Sequence, residues 1–158
     1  MKNILSIGLE HYLFMIMWNV RGLRLLDERR WDLCKYRIEQ AKESLKASQI
    51  MLENNMIKDA INRSYYAVFY ALKAVLALEE KDFKRHKDVV AYFNKMYVAT
   101  EKFPREFGRM IAKLQQLREK SDYDDFFIAS MEKAEQQILA AEKVITEIEC
   151  FLQKFYAE

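Results

Sequence analysis

Glycine and proline are nearly missing from this chain of 158 residues, which holds three of the first and one of the second. A sandwich or barrel of short strands needs many such turn residues, so their scarcity points to long helices. No glycine-rich phosphate loop, no paired CxxC, no HExxH and no GxSxG occurs, which excludes the common nucleotide, zinc and acyl-transfer signatures. Two cysteines, Cys34 and Cys150, lack the spacing of a zinc site. With no secretory signal recognised, they read as packed thiols in a reducing cytoplasm. Two histidines, His11 and His86, leave little material for a histidine-rich metal site, and neither a metal nor a cofactor is expected. Charge excess is absent too. Lys and Arg number 26 against 24 Asp and Glu, a net of +2, so any basic site must be local. The longest N-terminal apolar stretch, Tyr12 to Trp18, is far short of the roughly 20 residues that span a bilayer, and a membrane partner is not expected.

What is present is apolar residues, 51% of the chain, among abundant good helix formers. That is enough to bury one core, and the expectation is a single all-α domain. The fold expected is an up-and-down antiparallel bundle of about five helices over residues 27–158, with residues 1–26 an N-terminal extension. For that extension three readings stand: an added helix packed on the domain or its dimer, a membrane-touching anchor, or upstream coding outside the natural fold. The first is preferred.

From Trp31, residues Cys34, Ile38, Ala41, Leu45, Ser48 and Leu52 follow at alternating steps of three and four, lining one face of a first helix. Asn54-Asn55 supplies residues that tolerate a left-handed turn, and so short a link makes the next helix an antiparallel neighbour. That second helix, about 56–78, is apolar nearly all round from Ser64 onward, with Lys73 its only charge there. Such a helix belongs in the middle of a bundle or in a dimer interface. After the charged link EEKDFKRH comes a shorter helix with Val89, Val90, Phe93, Met96 and Tyr97 inward. Pro104 opens a fourth helix that carries Phe107, Met110, Ile111, Leu114 and Leu117 and should end near Arg118. The last helix has the clearest seam, Met131 to Phe155, with Asp122, Asp124 and Asp125 before it as candidate caps.

Three stretches, INRSYYAVFYALKAVL at 61–76, KRHKDVVAYF at 84–93 and LREKSDYDD at 117–125, stand in the order and spacing of the HEPN family. The chain resembles that family over roughly residues 31–155. The resemblance implies a helical bundle, often dimeric, of the kind that pairs with a small nucleotidyltransferase as toxin and antitoxin. It also implies metal-independent ribonuclease chemistry in many members. Those ribonucleases carry an Arg, four to six residues and then a His, which suits attack by a 2′-hydroxyl with the His moving a proton and the Arg holding phosphate charge. Here Arg63 fills the first position but Tyr70 stands seven residues on, and a phenol is a poor base at neutral pH.

Arg63, Tyr70 and His86 are thus the candidate catalytic residues, and Arg63, Tyr66, His86, Arg118, Asp122 and Tyr123 the candidates for binding RNA or a nucleotide. Each has a plain structural alternative. Arg63 can pair with Asp59 one turn away, Tyr66 and Tyr70 can be core or dimer contacts, and Asp122 can hold the start of the last helix with Arg118 tied to it. In a simple up-and-down bundle Arg63 and His86 lie roughly 20 Å apart unless the 79–85 link folds back, and His86 falls near Arg118, Asp122 and Tyr123. Lys81, Lys84, Arg85 and Lys87 surround His86, but acids interleave with them, so the link reads as a solvated loop. The functional expectation is a cytoplasmic, toxin-like partner of a small nucleotidyltransferase, dimeric through the helix at 56–78. The alternative is a non-catalytic helical interaction module, with a membrane-peripheral protein using residues 12–26 as a third.

Overall fold

The computed structural model describes the backbone of residues 4–157 and the side chains of residues 27–156. The packing expected of residues 1–26 lies outside those side chains. Five α-helices appear: α1 (Ile4–Glu53), α2 (Ile57–Ala77), α3 (His86–Phe93), α4 (Arg105–Tyr123) and α5 (Met131–Ala157). A π-helical turn, Asn94–Val98, continues α3. Among the described residues there is no strand, and no helix is long and apolar enough to cross a membrane. The face that begins at Trp31 is the second half of a helix already under way from Ile4, not its start.

The helix α2 is apolar all round because it is the centre of the bundle. It packs against α1, α3, α4 and α5, and most of its length is buried, with Ile61, Tyr65, Val68, Leu72 and Val75 at or near zero exposure. Facing it, α1 contributes Cys34, Ile38 and Ala41, and the Cys34 thiol donates to the Ala74 carbonyl at 3.1 Å. Pairings along the helices set their directions. Arg37 meets Lys73 while α1 runs against α2, and Arg118 and Asp122 meet Tyr65 and Asn62 while α4 does the same. Glu149 of α5 pairs with Lys42, so α5 runs antiparallel to α1. At one end Phe93, Phe103, Phe107 and Phe151 form a ring cluster, with centroids 4.7 to 5.2 Å apart for three of its pairs. Rings at such spacing add roughly 0.5–1.5 kcal/mol per pair beyond their area.

A chain so poor in glycine must end its helices on other residues. Asn55, Glu80 and Glu101 all adopt positive φ, of 60°, 54° and 60°. In the first two cases the next N–H reaches back five residues, Met56 to the Met51 carbonyl at 2.8 Å and Lys81 to the Leu76 carbonyl at 3.0 Å, which closes the helix end. Asn bears this backbone cheaply, whereas a glutamate with its Cβ loses about 1 kcal/mol. Glu80 recovers part of that through Arg30, 3.1 Å away. Glu101 is exposed and has no ion pair among the described residues. Glu101→Gly should therefore raise stability by about 0.5–1 kcal/mol, read as a melting temperature a few degrees higher.

Candidate functional site

The link between α2 and α3 is no free loop. Asp82 sits 2.8 Å from Lys73 Nζ and 3.5 Å from Arg37 Nη2, and Arg37 Nη1 donates to the Lys73 carbonyl at 2.7 Å. Lys73, the only charge on α2 beyond Arg63, and Arg37, only 9% exposed, thus form a clasp that draws the link back along α2. The other acids of this stretch are engaged too. Glu79 accepts from the Tyr92 and Tyr97 hydroxyls at 2.6 and 2.8 Å, Glu80 pairs with Arg30, and Asp88 accepts from Arg85 Nε at 2.7 Å. Lys81, Lys84 and Lys87 are left without an ion pair among the described residues. The link is solvent-exposed at Glu80, Lys81, Asp82, Lys84, Arg85 and Lys87, as a solvated loop would be, yet its acids hold fixed partners, because charges interleaved in sequence need not neutralise one another in space.

Because the link doubles back, α3 starts level with the first half of α2 and its far end returns to Glu79. The separation of roughly 20 Å expected between Arg63 and His86 does not hold. The His86 ring stacks on Phe69 at 4.0 Å and 28°, and stands edge-on to Tyr66 at 5.2 Å. The Arg63 guanidinium lies 5.7 Å from the centroid of that same Tyr66 ring. Arg63 makes no ion pair with Asp59 or with any other described acid. Tyr66 is the ring that Arg63 and His86 share. Tyr70 is half-buried beside Phe69, ring centroids 6.0 Å apart, and makes no ring contact with His86.

Arg118 completes the arrangement from α4. Its Nε lies 2.9 Å from Asp122 Oδ2, an ion pair whose N–H is not aimed along a hydrogen bond, and its guanidinium lies 6.0 Å from the Tyr65 ring and 5.6 Å from the Tyr123 ring. Asn62 donates to both Asp122 oxygens at 3.1 and 2.8 Å. This lattice carries α4 through to Tyr123, a full turn beyond the end expected at Arg118. Asp122 therefore closes α4 and does not cap α5. Ser130 takes that role, its Oγ accepting from the Lys133 N–H at 3.3 Å, while Asp124 accepts from the Phe126 N–H at 3.0 Å in the connecting turn.

An open groove of about 640 Å³ runs between α3 and α4, with His86, Arg118 and Tyr123 along it and Arg85, Lys87 and Lys120 at its edges. Among the described residues, Glu119 and Asp124 are the acids that line it. Burial against the aromatic rings, with Arg118 and then Lys73 adding repulsion, lowers the His86 pKa below its ordinary value, so the imidazole is neutral at pH 7 and can accept a proton. Burial pushes the Tyr65 phenol up to about 12, and its hydroxyl has no hydrogen-bond partner. Among the described residues no cluster of metal-ligating side chains occurs. Cations, a neutral imidazole and exposed rings suit a phosphate ester with bases attached. Sequence reasoning missed Asn62, Phe69, Arg37 and Asp82. The one signal that pointed to Arg37 and Asp82 was Lys73, a charge too costly to bury without a partner.

Two outcomes follow from this geometry. Since the folded pKa of His86 lies below the unfolded value near 6.5, the unfolded chain takes up its proton first as pH falls, so stability declines below about pH 6.5 until His86 itself protonates. Denaturant unfolding of His86→Gln should show that decline flattened between neutrality and pH 5. Asp82→Ala should release the link, and in proton NMR the His86 ring resonances should move toward unstacked positions while its pKa rises toward the ordinary value.

Comparison with known proteins bears on this arrangement. The model of the HEPN domain family matches residues 34–151. A protein of Methanocaldococcus jannaschii whose name proposes that it is a toxin is 36% identical over 118 residues, 74% of this chain and 81% of that protein. A UPF0332 protein of Thermotoga maritima is 30% identical over 121 residues, 77% of this chain and 92% of its own length. A second M. jannaschii protein, also named as a proposed toxin, is 33% identical over 98 residues, covering 62% of this chain and 67% of that one.

Proposed function

The chain belongs to the HEPN domain family, and from that premise we propose that it is the toxin-like member of a two-component system with a small nucleotidyltransferase, acting in the cytoplasm on RNA held in the His86 groove. The names of its M. jannaschii relatives support the toxin reading. The observation that carries the site is the stacking of a neutral His86 on Phe69, within one groove with Arg118. Without a metal, cleavage needs a base to take the 2′-hydroxyl proton, a cation for the phosphate and an acid to return the proton to the leaving 5′-oxygen. His86 serves as base and then as acid. Arg118 holds phosphate oxygens from within the groove, and Tyr123, 76% exposed, offers a face on which a base stacks.

The spacing of Arg, four residues and a further residue is also met by Arg118 and Tyr123, where again a tyrosine stands in the histidine's place. Proton transfer therefore falls to His86 at either motif, and Tyr70 is left a packing residue. A dimer would use what the bundle leaves uncovered on α2, the half-buried strip of Arg63, Tyr66 and Tyr70 at steps of three and four. A second reading, a non-catalytic module that binds without cutting, is favoured by one observation. Arg118 is already committed to Asp122, which Asn62 holds in turn.

The test is expression without the partner gene, followed by cleavage of single-stranded RNA in the presence of EDTA. The parent should arrest growth and cut RNA. His86→Ala should lower the cleavage rate by about 10²-fold or more with RNA affinity little changed, the scale on which general acid–base groups contribute. Arg118→Ala should weaken both binding and cleavage. Intact cleavage in His86→Ala removes the proposed chemistry, and RNA binding without cleavage in the parent supports the module.

A further inference from the structure

On the other flank of α4 from His86, a second groove of about 340 Å³ opens between α4 and α5. Its floor is apolar, with Met110, Leu114, Leu117 and Ala140, and its rim carries Lys113, Lys120 and Lys133. No carboxylate lines it, and none of the three lysines has an ion pair among the described residues. Glu132 of α5 accepts from Gln136 at 3.2 Å. The groove is held open from beneath by Gln137, which is 4% exposed and donates to the Ile61 and Leu114 carbonyls at 3.2 and 3.3 Å. At one end Lys133 lies 5.5 Å over the Phe127 ring, and the residues on either side, Phe126 and Ile128, are 94% and 85% exposed.

We propose that this groove docks an acidic, amphipathic helical segment of a partner protein. Its apolar residues would rest on Met110, Leu114 and Leu117 and against the Phe126–Ile128 corner, and its carboxylates would meet the three lysines. Three unpaired lysines over a carboxylate-free apolar floor call for an occupant that is apolar on one face and negative along its edges. The floor from Met110 to Leu117 is two helical turns long, about 10 Å, which suits such a helix. RNA fits less well, because no ring lines the floor for a base to stack on and arginine, the better phosphate fork, is missing from the rim. The proposal stands apart from the ribonuclease reading. Only one consequence rests on that reading: Gln116 and Lys120 line both grooves, so an occupant here would crowd the RNA path beside His86.

Fluorescence anisotropy on the full chain tests it. The probe is a labelled helical peptide roughly 18 residues long, with leucines at i, i+3, i+4 and i+7 and glutamates elsewhere, beside a control in which each glutamate is lysine. The acidic peptide should bind, the basic one should not, and the double variant Lys113→Glu, Lys133→Glu should weaken binding by about tenfold or more, or 1.4 kcal/mol. Both substitutions are at exposed positions, and an unchanged melting temperature confirms the fold. The variant His86→Ala, Arg118→Ala should bind the peptide as the parent does, whatever its effect on RNA. The proposal is overturned if neither peptide binds or if both bind alike. It is overturned equally if single-stranded RNA displaces the acidic peptide, which makes the groove an RNA site, or if sedimentation shows self-association that the double lysine variant abolishes, which makes a second copy the occupant.

Discussion

A single carboxylate in the α2–α3 link, Asp82, is met from two helices at once, by Lys73 of α2 and Arg37 of α1, at the point where the link turns back along α2. Burying Arg37 is costly unless its hydrogen bonds are met, and it is held by the Lys73 carbonyl as well as by Asp82. The Lys73 ammonium in turn lies 5.6 Å over Phe69, the ring on which His86 stacks. Cation, aromatic ring and imidazole are therefore stacked in register along α2. Were the link to step straight across the end of the bundle, His86 would sit beyond Glu79, and no groove would join it to Arg118.

That doubling back also explains how a short third helix fits among four long ones. The helices α1, α2, α4 and α5 alternate in direction, and α3 with its π-helical turn fills the space beside the second half of α2. The turn brings Tyr97 round to Glu79 and leaves Asn94 and Val98 against Gly108 of α4. A Cβ there would lie 3.1 Å from the Asn94 side chain and 3.2 Å from that of Val98. Farther along α4, a groove opens on either flank of the helix. One flank carries a histidine, arginines and rings, and the other lysines over an apolar floor. The two are chemically distinct surfaces that share Gln116 and Lys120.

Much of the packing was legible in the residue pattern. The middles of the α1 and α5 seams at steps of three and four are buried, whereas Met131 and Phe155 at the ends of the α5 seam are 37% and 53% exposed; Asn55 does take the left-handed turn, and α2 is central because it lacks a wet side. The end of α4 was not legible. Its last turn depends on Asn62, sixty residues away, holding Asp122, and no local rule for helix ends contains such a partner. The groove was legible as a list of residues but not as a shape. Arg118, Asp122, Tyr123 and His86 stood out by type, whereas Phe69 looked like one more apolar residue in a core helix.

Local composition and periodicity determined the all-α class, the number of helices and the face each one buries, since those follow from a repeat of 3.6 residues and from the scarcity of turn formers. Only the tertiary structure decided that His86 and Arg63 share the Tyr66 ring, that the link acids find partners while its lysines form no ion pair among the described residues, and that α4 separates two grooves. The physical reason is range. A helix face is written in neighbours three and four residues apart, but the direction of a link is set by one ion pair and one buried guanidinium whose partners lie 9 to 45 residues away, as Lys73 and Arg37 do from Asp82.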